Sequence, residues 1–288
     1  MIFVNLARNW CNITIKESFK RPKDKKRIVN SNVLYKYLDA DGGLKMLQNS
    51  NLQFTNATRL NDPFDCHPAL FDYSDPPVYI SEDGVELPPS DFLSEKGECD
   101  MTNLRNSTWV CSLSKVHNSL LMWSYYNKHE GLCIGLDMEK LRPNLPNLVC
   151  SLLLGALELE VKYEEIIKKP NYFYDHKDYW GYQVSTKAKD WSHEEEVRLT
   201  LLNPSHGFIP ASIPKKFDKD EIVDFKEVRF YPMVDGNCFC SLYLGVNMKQ
   251  EKRDKVVETA KKLNPNIAIY QMTIDPEAFR LKEEKIIS

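Results

Sequence analysis

Short segments with the residue pattern of β-strands recur along the whole chain, and they restrict the possible folds more than any other feature. They are rich in β-branched and aromatic residues or alternate apolar with polar side chains, and turn-forming residues separate them. Because such segments far outnumber helical ones and no internal repeat is visible, the sequence predicts a single mixed α+β domain. The predicted strands are residues 33–37, 51–57, 107–114, 131–137, 157–163, 198–202, 227–231, 241–246 and 266–274, and the predicted helices are residues 41–49, 118–129 and 250–263.

The chain divides into an N-terminal segment and one domain. Residues 1–30 contain a basic run at 16–27, and we predict a basic arm that is either solvated or in contact with nucleic acid or a partner. Residues 31–288 form the predicted domain, in which paired prolines and many charges at 72–106 indicate a loop insertion. The formal net charge of −3 argues against a protein whose whole surface attracts nucleic acid.

No segment indicates export or membrane insertion. The first ten residues are apolar only briefly and include Arg8, which is unlike a signal peptide. No window approaches the roughly 18 apolar residues that a membrane span requires. The eight cysteines follow no disulfide framework. We therefore predict a cytoplasmic protein with reduced thiols and no membrane partner.

Three consecutive glutamates stand at the entry of a predicted strand, in KDWSHEEEVRLTLL at 189–202. Because side chains alternate along a strand, Glu194 and Glu196 would share one face and Glu195 would point away. Paired carboxylates can divide acid–base and electrostatic roles in catalysis. Arg198 would lie on the same face, so a solvated strand end with a surface ion pair remains the alternative.

Other polar side chains are candidates for binding a ligand. Ser112 and Ser114 share one face of a predicted strand, and Tyr125 and Tyr126 on the next helix can stack on a ring or belong to the core. Lys36 and Arg59 are able to pair with a phosphate. The histidines show no metal-binding spacing and no glycine-rich phosphate loop occurs, so we expect no catalytic metal.

Four motifs, taken in order, resemble a bacterial family of unassigned function, domain-of-unknown-function family 2971. That family in turn looks like a distant ADP-ribosyltransferase, because it has a first-strand motif, a serine-containing or aromatic second motif and a late strand glutamate written E-x-E. The resemblance implies NAD⁺ bound as a substrate in a cleft of a split β-sheet with peripheral helices. The motifs are LYKY at 34–37, NDPFD at 61–65, MWSxY at 122–126 with HxG at 129–131, and WxxExExR at 191–198, within residues 33–275.

The resemblance also implies roles for individual residues. Glu196 would be the key acid and Glu194 the second, because a carboxylate near the ribose stabilises an oxocarbenium-like transition state. Lys36 stands where the first motif of transferases usually has His or Arg, which leaves open whether the active site is intact. The predicted cofactor-binding residues are Tyr35, Lys36, Tyr37, Arg59, Ser112, Ser114, Tyr125 and Tyr126.

These observations predict an enzyme that consumes NAD⁺ and transfers ADP-ribose to a protein or nucleic acid. A toxin or anti-phage effector held inactive by a partner protein would fit this chemistry. One alternative is a non-catalytic sensor module that binds a nucleotide or partner with the same cleft and residues 72–106. Another is a metal-dependent nuclease in which Asp62, Asp65, Glu194 and Glu196 hold Mg²⁺.

Overall fold

The computed structural model describes residues 32–80, 84–87, 91–143, 156–175, 179–202 and 229–286. One ten-stranded sheet of mixed strands dominates this part of the chain, and helices pack on it. The predicted α+β class is therefore confirmed. The N-terminal basic arm lies outside the described residues.

The nine strands and three helices predicted from the sequence all correspond to observed elements, and the structure adds further short strands and helices. The strands are β1 Val33–Leu38, β2 Phe54–Asn56, β3 Tyr79–Ile80, β4 Glu86–Leu87, β5 Thr108–Ser114, β6 Leu132–Asp137, β7 Ala156–Glu160, β8 Lys162–Glu164, β9 Thr186–Ala188, β10 Glu196–Leu202, β11 Arg229–Phe230, β12 Phe239–Leu244, β13 Ala268–Ile274 and β14 Leu281–Lys285. The helices are α1 Ala40–Asn49, α2 Asp91–Asn106, α3 Leu120–Asn127, α4 Met138–Leu141, α5 Tyr179–Ser185 and α6 Gln250–Leu263, with 3-10 helices Ala57–Arg59, Pro68–Leu70, Lys189–Glu194 and Gly236–Cys238.

The sheet forks at β5. The main path runs β11-β2-β5-β1-β6-β12-β13-β14, while β10 pairs with the whole of β5 and carries β7 on its other edge. On the opposite edge of β5, β2 pairs near the start and β1 at the end, so these two strands diverge. Among the strands of this sheet that the structure describes, only β12 and β13 pair in parallel, and helix α6 forms the crossover that a parallel pair requires.

One face of the sheet carries the main apolar core. Helices α1 and α6 pack there, and strand alternation supplies the facing side chains, such as Leu113 on β5 and Leu199 on β10. Asp39 begins α1 by accepting a hydrogen bond from the Gly42 amide at 2.7 Å. This core therefore follows directly from the strand and helix periods of the sequence.

The opposite face is covered by α3 and α5 and is more polar. Trp123 of α3 and Tyr37 of β1 form one small aromatic cluster there, and Trp180 of α5 belongs to another. Between these two clusters, β5 and β10 present serine, glutamate and arginine side chains instead of apolar ones. The candidate functional site lies in this polar gap.

The expected loop at 72–106 is wrong for its second half. Residues Asp91–Asn106 form helix α2, and the short strands β3 and β4 precede it as a hairpin. Met101 and Leu104 of α2 pack against Phe71 and Tyr172, so burial of an apolar stripe stabilises a helix that the surrounding prolines and charges obscured.

The helices and the cysteines of the described ranges bear on the predictions about membrane insertion and thiol state. None of the helices in the described ranges is long and apolar enough to cross a membrane. The cysteines within those ranges are free thiols, and burial raises the pKa of Cys66 to about 12, which leaves it protonated at neutral pH.

Candidate functional site

The polar side of β10 is an ionic cluster and not a solvated strand end. Arg198 is fully buried, and its guanidinium contacts both oxygens of Glu196, with Nε to Oε1 and Nη2 to Oε2 at 2.9 Å each. The same guanidinium donates to Asp65 Oδ2 and to the Val184 carbonyl at 2.8 Å each. The alternative of a surface ion pair at this strand end is therefore wrong, because α5 and the turn that carries Asp65 cover it.

Lys187 of β9 is the second cation of this cluster, and its side chain is only 3% exposed. Its ammonium Nζ lies 2.5 Å from Glu194 Oε2, 3.3 Å from Glu196 Oε2 and 3.7 Å from Asp65 Oδ2. An unpaired ammonium would be costly to bury, so these carboxylates are what allow a lysine at this position.

The two glutamates respond to this environment in opposite directions. Burial acts to raise the pKa of Glu196, but Arg198 and Lys187 together lower it far below the usual range. Burial raises the pKa of Glu194 above its ordinary value, Lys187 offsets only part of that, and the Glu196 charge adds to the increase. Three carboxylates thus share two cations, and of the two glutamates Glu194 is the one that retains its proton more readily.

Glu194 also connects the buried cluster to the surface. The Tyr126 hydroxyl of α3 donates a hydrogen bond to Glu194 Oε1, and Tyr126 is 36% exposed. Burial and the adjacent Glu194 charge raise the pKa of this phenol, and the Asn61 side chain lies against it. Ser114 fixes the Glu194 backbone, because its hydroxyl donates to the Glu194 carbonyl at 2.7 Å.

Glu195 points away from Glu194 and Glu196, as predicted, but strand alternation is not the reason. Glu194 is the last residue of the 3-10 helix Lys189–Glu194, and Glu195 adopts a left-handed conformation with φ of 43°. This turn directs Glu195 to solvent before β10 begins at Glu196. Both other glutamates are consequently buried beside Lys187, although only one of them is on a strand.

Two aromatic side chains that are sequence neighbours of Tyr126 and Asp65 are exposed. Tyr125 is 64% exposed and Phe64, in the turn next to Asp65, is 56% exposed. The ring centroids of Tyr125 and His193 are 5.7 Å apart. The ring of Trp191 covers the Lys187 ammonium, with its centroid 4.9 Å from Nζ. Aromatic surfaces of this kind stack readily on flat ligand rings.

One more predicted binding residue adjoins the cluster. Ser112 faces Arg198 across the β5–β10 pairing, and its side chain helps to lower the pKa of Glu196. Lys36 donates to the Ser112 carbonyl at 2.8 Å. The structure thus brings Ser112, Ser114 and Tyr126 together with the two glutamates. Lys36 instead shares the face of the sheet that carries the apolar core with Leu34 and Ile134, and reaches only the strand backbone.

The remaining predicted residues lie apart from this network. Tyr37 is buried in the aromatic cluster and donates to the Val116 carbonyl at 3.0 Å. Tyr35 is half-buried against His117 and Tyr243, with ring centroids 5.0 and 5.9 Å away. Arg59 is exposed on a 3-10 turn and forms no ion pair with any residue that the structure describes.

Two contributors to the cluster were not predicted from the sequence. Lys187 stands in an ordinary polar segment between a helix and a turn, and Tyr163 of β8 accepts a hydrogen bond from the Glu196 amide at 2.8 Å. Only the excess of acids over Arg198 in the last motif hinted at a second cation. Asp65, which the sequence marked as a turn former or metal ligand, instead pairs with Arg198.

The arrangement does not favour the nuclease alternative. Lys187 occupies the position between Asp65, Glu194 and Glu196 where a magnesium ion would have to bind. Within the described ranges, no group of histidine, cysteine and acidic side chains is arranged to hold a metal. The carboxylates are therefore paired with protein cations.

Comparison of the chain with known protein families, with curated proteins and with solved structures returned no match.

Proposed function

We propose that this protein consumes NAD⁺ and transfers ADP-ribose to a protein or nucleic-acid acceptor. The observation that carries the proposal is the pair Glu194 and Glu196, whose pKa values are shifted in opposite directions beside the partly exposed Tyr126. Enzymes that use two carboxylates for different tasks separate their proton affinities in this way. The fork of the sheet at β5, close to this pair, supports a split ADP-ribosyltransferase-like core.

The geometry favours Glu194 as the group that contacts substrate. Both oxygens of Glu196 are held by Arg198, so Glu196 would act as a fixed negative charge that positions its neighbours. Glu194 reaches the surface through Tyr126, and small displacement of the phenol would expose its carboxylate. This order of importance is the reverse of the one that the sequence motif suggested.

The chemistry then follows from the charges. The bond between nicotinamide and the ribose C1′ breaks, and its electron pair leaves with the nicotinamide. The Glu194 carboxylate stabilises the oxocarbenium-like ribose and accepts the proton of the acceptor group as that group attacks C1′. A carboxylate with a raised pKa is the stronger base, which suits Glu194 to this step.

The binding residues fit the parts of NAD⁺. The exposed rings of Tyr125, Tyr126 and Phe64 would stack on nicotinamide or adenine. Arg59 is exposed and would be the cation for the pyrophosphate, whereas Lys36 is on the core face and its ammonium already donates to the Ser112 carbonyl. Tyr35 and Tyr37 are further from the acids and would shape the wall of the site.

A direct test uses the purified full chain with NAD⁺ and candidate protein, RNA and DNA acceptors. Nicotinamide release is followed by chromatography, and transfer is followed by the mass of the acceptor. We expect Glu194→Gln to slow release by about 100-fold or more, because a charge-stabilising group at the reacting centre is lost. Glu195→Gln is the matched control and should behave like the unmodified protein, since Glu195 is exposed.

The proposal fails if the unmodified chain releases no nicotinamide with any acceptor class, or if the two variants are equally active. The biological role is tested by expressing both forms in bacteria with and without phage challenge. A toxin or anti-phage effector of the cytoplasm, with or without an inhibitory partner, should depend on Glu194 and not on Glu195.

A second candidate is a sensor module that binds a nucleotide without cleaving it. It is favoured by the fact that protein groups already contact every carboxylate oxygen of Glu194 and Glu196. A binder requires no rearrangement of this network. Calorimetric binding of NAD⁺ with no nicotinamide release would select the sensor over the transferase.

A further inference from the structure

Lys187 is a buried cation that no motif of the sequence includes. It lies at the centre of β9, opposite Tyr163 of β8, and points into the ionic cluster. The ring of Trp191 lies over its ammonium, which adds a cation–π contact. The burial of Lys187 calls for a structural or catalytic explanation, because a buried apolar side chain would be easier to accommodate.

The two cations of the cluster divide the three carboxylates between them. Arg198 contacts Glu196 and Asp65 with short hydrogen bonds, which leaves Glu194 outside its reach. Lys187 makes its shortest contact with Glu194, at 2.5 Å, and longer ones with Glu196 and Asp65. Lys187 is therefore the cation that pairs with Glu194.

The contacts of Glu194 show what this lysine does to its orientation. One oxygen, Oε2, receives the Lys187 ammonium, while the other, Oε1, receives the Tyr126 hydroxyl at the surface side. Glu196 and Asp65 also contact the Lys187 ammonium. With Oε2 fixed in this way, Oε1 is the oxygen left to meet a ligand when Tyr126 moves.

We propose that Lys187 is a positioning residue that orients the Glu194 carboxylate toward the Tyr126 side of the site. The catalytic consequence rests on the proposed function, while the contact itself does not. Lys187 also favours the ionised form of Glu194, which burial and Glu196 oppose. The ionisable groups that interact with Glu194 are Lys187 on β9, Glu196 on β10, Tyr163 on β8 and Tyr126 on α3, while Arg198 contacts Glu196 and Asp65 contacts Lys187.

The sign of the effect is fixed by the charge. Removing the ammonium leaves only the Tyr126 hydrogen bond to oppose burial and Glu196, so the pKa of Glu194 rises further. If the reaction needs the ionised Glu194 carboxylate, the acid limb of its pH–activity profile then moves to higher pH. Loss of orientation lowers kcat and not the affinity for NAD⁺, because Lys187 is too buried to touch the substrate.

The test variant is Lys187→Met, measured against Lys189→Met as the matched control, since Lys189 is exposed and two residues away. Carbon NMR of glutamate-labelled protein follows the titration of Glu194, assigned by its absence in Glu194→Gln. We expect the Glu194 midpoint in Lys187→Met to rise by about one pH unit or more, with the acid limb of kcat moving by the same amount. The control should leave both unchanged.

A reciprocal measurement covers the case in which Lys187→Met does not fold. Coupling between two groups is mutual, so Glu194→Gln must weaken the interactions of the Lys187 ammonium. Its protons should then exchange faster with water, and nitrogen NMR measures that rate. An unchanged Glu194 midpoint in folded Lys187→Met, or unchanged ammonium exchange in Glu194→Gln, overturns the inference. If the coupling is observed but no nicotinamide is released, the positioning contact stands and the proposed function falls.

Discussion

The two faces of the ten-stranded sheet are stabilised in different ways, and adjacent residues of β10 show the contrast. Leu199 points into the apolar core under α1 and α6, whereas Arg198 points to the other face and into the ionic cluster. Both side chains are fully buried. The apolar face gains stability from the area that it removes from water, while the polar face depends on matched partners.

This difference determines how each face responds to change. An apolar contact is lost in proportion to the atoms removed, and its neighbours relax around the gap. Removing one member of a buried ionic cluster leaves the others unpaired in a medium that solvates charge poorly. Such a face is suited to a functional site, because its groups are held in fixed positions and their proton affinities are far from ordinary values.

The largest expected effect is that of Arg198→Met. This change leaves Glu196 and Asp65 with only Lys187 as a cation, so we expect the free energy of unfolding at pH 7 to fall by about 3–5 kcal/mol. Urea denaturation followed by circular dichroism measures it. Leu199→Ala on the other face is the comparison, with a loss of about 2–5 kcal/mol.

The double variant Glu196→Met with Arg198→Met separates the two explanations for that loss. If unpaired charge is the cause, replacing both partners by apolar side chains should recover a substantial part of the stability of Arg198→Met. If packing is the cause, the second substitution should add to the loss. Leu199→Ala has no such partner whose replacement rescues it, since its neighbours are apolar.

The pH dependence of stability should also distinguish the two acids. Glu196 has a lowered pKa in the folded state, so its contribution is present above its ordinary value of 4.5 and is lost as the pH falls below that. Glu194 has a raised pKa, so its contribution is fully present below 4.5 and is lost as the pH rises through the folded value. The two contributions therefore have opposite slopes.

Unfolding free energies measured across a series of pH values test this directly. Glu196→Gln should remove part of the decline on the acid side, and Glu194→Gln should remove part of the decline toward neutral pH. At pH 7 the Glu194→Gln variant should be no less stable than the unmodified protein, although we expect it to be inactive. A trade of stability for activity is common at functional sites. Equal slopes for both variants would contradict the assignment.

Local patterns in the sequence were sufficient for the apolar face and insufficient for the polar one. The periods of β5, β10, α1 and α6 are enough to separate core-facing side chains from the others, because each pattern is contained within one element. The cluster joins Asp65, Lys187 and Arg198 from three separate segments, and no spacing rule connects them. Helix α2 was missed for a related reason, since its apolar stripe has meaning only against Phe71 and Tyr172.

The smallest expected effect concerns the cap of helix α1 beneath the apolar face. Asp39 accepts a hydrogen bond from the Gly42 amide, so Asp39→Ala should lower the free energy of unfolding by about 1 kcal/mol. Asp41→Ala is the matched control in the same turn, where an exposed ion pair with Lys252 contributes less.

Neither variant should alter nicotinamide release or the titration of Glu194, because α1 packs on the side of the sheet opposite to the cluster. The two faces share strands but not partners, and substitutions that are distant and have no common contacts add independently. A double variant of Asp39→Ala with Arg198→Met should therefore lose the sum of the two single losses. A marked departure from that sum would mean that the two faces are coupled through β1 and β5, and that the separation argued from their contacts is incomplete.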